Sequence, residues 1–99
     1  MSWRVRYAPA AREDLKRLYA FHLEHDLAAA RRALAAIIKG VELLQQFPFA
    51  CRKTSPDNPL LRELPVPFGS SGFVLLYEIK DDTTLTILAV RHQREDDYH

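Results

Sequence analysis

Arg62, Glu63, Tyr77, Arg91, His92 and Arg94 are the residues of this chain whose types suit phosphoester chemistry. Cleaving RNA without a metal takes a base for the ribose 2′-OH, cations for the charge developing on phosphate, and an acid for the leaving oxygen. Arg62, Arg91 and Arg94 suit the phosphate, His92 or Glu63 the proton transfers, and Tyr77 stacking or donation. Strand phase divides them, because Arg91 and His92 are consecutive and point to opposite faces, while Tyr77 shares the face of His92. Each also has a plain structural role. Tyr77, amid Phe73, Leu75 and Ile79, suits a core with its hydroxyl at the edge. Arg62, in phase with Leu64 and Val66, can pack its stem and place its guanidinium on a carboxylate or chain carbonyl. His92 can be an ordinary residue at a strand end.

Charge argues against the nuclease. From Cys51 onward there are six Lys+Arg against eight Asp+Glu, and Glu95-Asp96-Asp97 follow directly on the candidate arginines, a tail that repels RNA. The whole chain carries a formal charge of only +1, so it has no general positive field. Other constellations are weaker. His22, His25 and Asp26 have near-metal spacing, but His22 falls on an apolar stripe with no further ligand near, so no metal is expected. Cys51 cannot form an internal disulfide and has no catalytic partner in sequence; even with Arg52 and Lys53 beside it, it reads as structural. Arg31, Arg32 and Lys39 read as a solvated helix face. No glycine-rich phosphate loop, hydrolase elbow or zinc-ligand pair occurs, and no cofactor is implied.

The elements that position these residues follow from periodicity. Ninety-nine residues, 47% hydrophobic and 27% charged, suit one domain over residues 1–99. With no signal-like start and no apolar run near the length of a membrane span, the expectation is a cytoplasmic protein. Trp3, Val5 and Tyr7 alternate with Arg4 and Arg6, the period of a half-buried strand. An amphipathic helix follows, with Pro9 in its first turn and Ala8, Ala11, Leu15, Leu18, Tyr19 and His22 on one stripe. Asp26 is placed to cap a second helix striped by Ala30, Ala33, Leu34, Ile37, Ile38, Val41 and Leu44 and ended by Phe47-Pro48. The short joint folds the two into an antiparallel hairpin. Gly40, costly inside a helix, marks the close approach of another element. Phe49 to Pro59 reads as an exposed loop. Leu60 to Val66 is a short strand whose Pro65 favours an edge or strand end. Gly72 to Ile79 and Thr84 to His92 form a hairpin.

Pairing Lys80 with Thr83 sets Phe73, Leu75, Tyr77 and Ile79 beside Val90, Leu88, Thr86 and Thr84. The other face then holds Val74, Leu76 and Glu78 beside Ala89, Ile87 and Leu85. Both faces are apolar, and one helix pair covers only one of them. Val74, Leu76 and Ile87, together with Phe21 and Leu23 off the main stripe of the first helix, are therefore the candidate partner surface.

The phrases Ala10-Ala11-Arg12-Glu13-Asp14-Leu15, Leu44-Gln45-Gln46-Phe47-Pro48 and Leu61-Arg62-Glu63-Leu64 stand in fixed order, followed by Phe73-Val74-Leu75-Leu76-Tyr77-Glu78-Ile79 and Ile87-Leu88-Ala89-Val90-Arg91-His92-Gln93-Arg94. Over nearly the whole chain this resembles the RelE/ParE superfamily of bacterial toxins. The long helical hairpin and the ending His92-Gln93-Arg94-Glu95-Asp96 are most similar to the ParE, or plasmid stabilisation, branch. The resemblance implies an α+β fold of order β-α-α-β-β-β, with the helical hairpin on one face of an antiparallel sheet. It further implies a toxin that poisons DNA gyrase by binding, with Arg91, His92 and Arg94 toward the target, and that is neutralised by a small ParD-like antitoxin. The RelE branch implies instead an mRNA endonuclease on the ribosome, using some of Arg62, Tyr77, Arg91 and His92. A folded member that only binds a partner, without toxicity, is the third reading.

Overall fold

Alternation near the amino end builds β1, Arg4–Tyr7, and Pro9 at the first turn starts α1, Pro9–Leu23. The computed structural model describes residues 2–93, so the expectation for Arg94 lies outside the described residues. Asp26 caps α2, Leu27–Gln46, by accepting the backbone N–H of Ala29, as its type and place predict. The remaining strands are β2, Arg52–Lys53, β3, Leu61–Phe68, β4, Ser71–Ile79, and β5, Thr84–His92. They form one five-stranded sheet of order β1-β5-β4-β3-β2. The two helices pack on one of its faces, so the expected α+β architecture and element order hold.

The pairing departs from expectation in four places. First, β1 lies parallel to β5, with Val5 opposite Leu85 and Tyr7 opposite Ile87, so the sheet is mostly rather than wholly antiparallel. Second, the segment expected to be only loop contains β2, which pairs Arg52 with Glu63 and Lys53 with Arg62. Third, β3 runs through Pro65 and on past Val66 to Phe68. It can do so because β2 covers its outer edge only at Arg62 and Glu63, leaving both prolines on an open edge. The turn to β4 is two residues long and begins with Gly69 at φ +60°, the left-handed position a type II′ hairpin turn needs.

The fourth correction bears on the partner surface. Phe73 pairs with His92, not Val90, and Leu75 with Val90, not Leu88. A bulge then follows: Leu76 faces Ala89 and Tyr77 faces Ile87, so Leu88 is an extra residue in β5. The turn is also one residue longer than expected. The Asp81 carboxylate accepts the backbone N–H groups of Thr83 and Thr84, both at 2.8 Å, and Ile79 comes to face Leu85. Ile87 and Leu85 consequently turn toward the helices and are fully buried. Ile87, expected on the outer partner surface, is a core residue.

That core joins Ala11 and Leu18 of α1, Ala33, Ile37, Val41 and Leu44 of α2, and the inward row Phe73, Leu75, Tyr77, Ile79, Leu85, Ile87 and Val90 of the sheet. Gly40 sits where α2 crosses β3, and a Cβ there would lie 2.9 Å from Val66 Cγ2, so the close approach expected of it is real. Leu34 and Ile38 are not on the buried stripe as expected; they flank it, and Ile38 is 50% exposed. The sheet is met by the narrower arc that includes Gly40.

Candidate functional site

Tyr77 points inward and is fully buried, its hydroxyl donating to the carbonyl of Pro48 at 2.6 Å. Burial, with the Cys51 thiol alongside, pushes the phenol far above the usual tyrosine range, so it stays a protonated donor. Arg62, opposite Tyr77 on β3, is equally committed. Its Nε donates to the Pro59 carbonyl at 2.9 Å, and its Nη1 to those of Phe49 at 2.9 Å and Cys51 at 2.8 Å. Its guanidinium also stands 5.3 Å from the centre of the Phe49 ring. Together they fasten the chain leaving α2 onto the sheet, and Trp3 closes the cluster edge-on to Phe49.

His92 shares the inward side. Its Nε2 lies 3.1 Å from Ser71 Oγ and its ring stands edge-on to Phe73. Arg91 faces the other way, exposed beside Val74. Glu63 is on that outer face too, where Arg52 Nε donates to it at 2.6 Å. The residues considered for RNA cleavage are thus split between the two faces of the sheet: Arg62, Tyr77 and His92 inside, Glu63 and Arg91 outside. The structure brings Arg62 and Tyr77 together, but around backbone carbonyls rather than a vacant phosphate site.

The outer face is a mixed surface. Val74, Leu76 and Ala89 form an apolar patch at its middle, with Val74 and Ala89 largely shielded by their neighbours and Leu76 half-buried. Arg4 and Arg6 join this face from β1, opposite Thr84 and Thr86. Sequence reasoning gave these two arginines no role, although their alternation with Trp3, Val5 and Tyr7 already set them on one side. Phe21 and Leu23, at the end of α1, are 54% and 46% exposed. Asp14 of α1 reaches the sheet, where it accepts the backbone N–H of Val90. Among the described residues no three His, Cys, Asp or Glu side chains gather as a metal site, and no helix is long and apolar enough to cross a membrane.

Against this geometry stand the known proteins. The family model described as the ParE toxin of the type II toxin–antitoxin system parDE matches residues 5–97. The chain belongs to the ParE toxin family. Within the wider RelE/ParE superfamily it is similar to Toxin RelE3 of Caulobacter vibrioides, 36% identical over 91 residues, covering 92% of this chain and 95% of that one. Among solved structures, the chromosomal ParDE system from P. aeruginosa has the same fold, with a TM-score of 0.73 at 20% identity over 92% of this chain and 96% of the other. The RelBE2 toxin–antitoxin complex from Mycobacterium tuberculosis gives a TM-score of 0.66 at 26% identity, covering 94% of this chain and all of its counterpart. For a ParE-family chain, the face split of Arg62, Tyr77, Arg91 and His92 is the feature that bears on how it acts.

Proposed function

We propose that this chain is a toxin that acts by binding DNA gyrase and stabilising its cleaved-DNA state, and that a ParD-like antitoxin neutralises it. The observation carrying this reading is the commitment of Arg62 and Tyr77. A phosphate clamp whose guanidinium already binds three carbonyls, and a phenol whose proton is buried against Pro48, are not poised for substrate. Binding needs only surface complementarity. Arg91 and the pair Arg4 and Arg6 on the outer face, to either side of the half-buried Leu76, support it, a pattern suited to a partially acidic protein surface. His92, inward and bonded to Ser71, holds the end of β5 rather than the target.

The endonuclease reading is favoured by a different observation, the name RelE carried by the curated relative of 36% identity. Two assays on purified protein separate the readings. Loss of supercoiling by gyrase with accumulation of cleaved DNA supports the proposal, whereas ribosome-dependent cleavage of translated mRNA, seen by primer extension, would replace it. Inactivity in both, with tight antitoxin binding, would leave the non-toxic binding module.

A further inference from the structure

Along its solvent side α2 carries an apolar row that the sheet does not use. Leu27, Leu34 and Ile38 recur at seven- and four-residue steps, and each is more than a third exposed. Arg31 falls between Leu27 and Leu34 in the same row, and Glu42 follows one turn after Ile38, both exposed. α1 does not cover this row. It closes against the near side, where the space between Leu15, Tyr19 and Leu34 is only about 10 Å³, no more than a single water needs. The face is therefore a ridge without a pocket. It accepts no inserted anchor side chain, and its steps of three and four residues are those of a seam between two helices.

The order of residues along the row decides which helix fits. A second α2 laid antiparallel across it, with Leu34 on Ile38 of the copy and Ile38 on its Leu34, has its two-fold axis level with residue 36. Arg31 then stands level with residue 41 of the copy, one residue, or about 1.5 Å of helix rise, from Glu42. By symmetry Glu42 meets the other Arg31, so the apolar centre is flanked at both ends by opposite charges. Within one chain Arg31 and Glu42 are about 16 Å apart along the axis, too far to pair with each other. Neither has an ion-pair partner among the described residues. A parallel copy would set Arg31 on Arg31 and Glu42 on Glu42, so charge selects the antiparallel one. Ala35, exposed at the centre of the row, lets the two backbones approach.

We infer that the chain associates with a second copy of itself through this row of α2, as an antiparallel two-fold pair in which Leu34 packs on Ile38 and Arg31 pairs with Glu42 across the axis. The outer face of the sheet, with Arg4, Arg6 and Arg91, lies on the side away from the helices. The pair leaves that face uncovered and carries it twice. The inference goes beyond the toxin reading and does not depend on what the outer face binds.

Sedimentation equilibrium of the purified full chain over a wide range of concentration tests the pair. A monomer–dimer equilibrium is expected, and Ile38→Glu should weaken it about tenfold or more while the melting temperature holds, since that side chain lies outside the core. Arg31→Glu alone and Glu42→Arg alone should each sediment chiefly as monomers, because each then sets like charges together at both ends of the axis. Mixed in equal amounts the two variants should associate again, since each meets the opposite charge at both ends. A native chain that stays monomeric at every concentration overturns the inference. So does a dimer indifferent to Ile38→Glu, or a mixture of the two charge variants that fails to associate. Loss of the dimer in Arg91→Glu but not in Ile38→Glu would put the contact on the sheet and also overturn it. If Ile38→Glu leaves the oligomeric state unchanged but weakens rescue by an antitoxin, the row belongs to that partner and not to a second copy.

Discussion

Asp14 of α1 accepts the backbone N–H of Val90 in β5 through Oδ2 at 2.9 Å. The reason lies in the length of β1. It covers the edge of β5 only as far as Ile87, whose carbonyl takes the N–H of Ala8 as the chain turns into α1. Just beyond comes the bulge, and the exposed edge of β5 would leave an amide without a strand beside it. A carboxylate on the helix that follows β1 is within reach of it, and Arg17 lies 3.3 Å from its other oxygen. Helix and sheet are thereby fastened at the point where β5 leads to Arg91 and His92.

Replacing Asp14 by Ala should therefore destabilise the protein by about 1–3 kcal/mol, the cost of leaving a shielded amide unpaired. Asp14→Asn, which keeps an acceptor oxygen, should lose less. Urea denaturation reads both, and amide exchange at Val90 should quicken in the alanine variant before the rest of β5 is affected. An exchange rate at Val90 that stays unchanged would mean that the contact contributes nothing.

Tyr77→Phe keeps the ring in the core and removes only the donor to Pro48. The buried carbonyl is then unsatisfied, and a loss of about 1–3 kcal/mol is expected. If Tyr77 served catalysis instead, the same change would abolish growth arrest with stability intact. Measuring the denaturation midpoint beside toxicity distinguishes the two.

Arg62 and Arg91 should behave in opposite ways. Arg62→Ala frees the carbonyls of Phe49, Cys51 and Pro59, with an expected loss of about 2 kcal/mol and faster proteolysis between Phe49 and Pro59. Lys in its place should not restore them, because a single ammonium cannot span the three carbonyls as the planar fork does. Arg91→Glu, on the exposed outer face, should leave the melting temperature within about a degree, as surface changes commonly do, and remove the gyrase inhibition proposed for the chain. Parallel loss of folding and toxicity in Arg91→Glu would assign that residue to the scaffold.

Acid should loosen the β4–β5 turn. The backbone N–H of Thr83, with further bonds from Thr84 and the Thr83 hydroxyl, holds the Asp81 carboxyl below its ordinary value of 3.8. Since the folded value is the lower one, its stabilisation is complete above that ordinary value and fades as the pH falls through the depressed folded one. Between pH 5 and pH 2 the thermal stability of Asp81→Asn should accordingly decline less than that of the native chain; identical slopes would show that the turn does not contribute.

Features that depend on near neighbours in the chain are legible from the residues alone. Alternation in Trp3–Tyr7, three- and four-residue spacing after Pro9, the Asp26 cap and the punctuation at Phe47-Pro48 place both helices and the main strands, because each rests on periods of two or 3.6 residues or on one cap. Gly40 announced a close approach, though not that Val66 and Leu75 make it. The partners of each strand are contacts between distant segments, and only the tertiary structure decides them. The parallel docking of β1, the extra Leu88 and the Asp81 turn shift the count along β5, so Ile87 moves from the outer face into the core. The same distance in sequence hid the fate of Arg62 and Tyr77: their residue types suit catalysis, but carbonyls of the loop after α2, brought over them only by folding, already accept their hydrogen bonds.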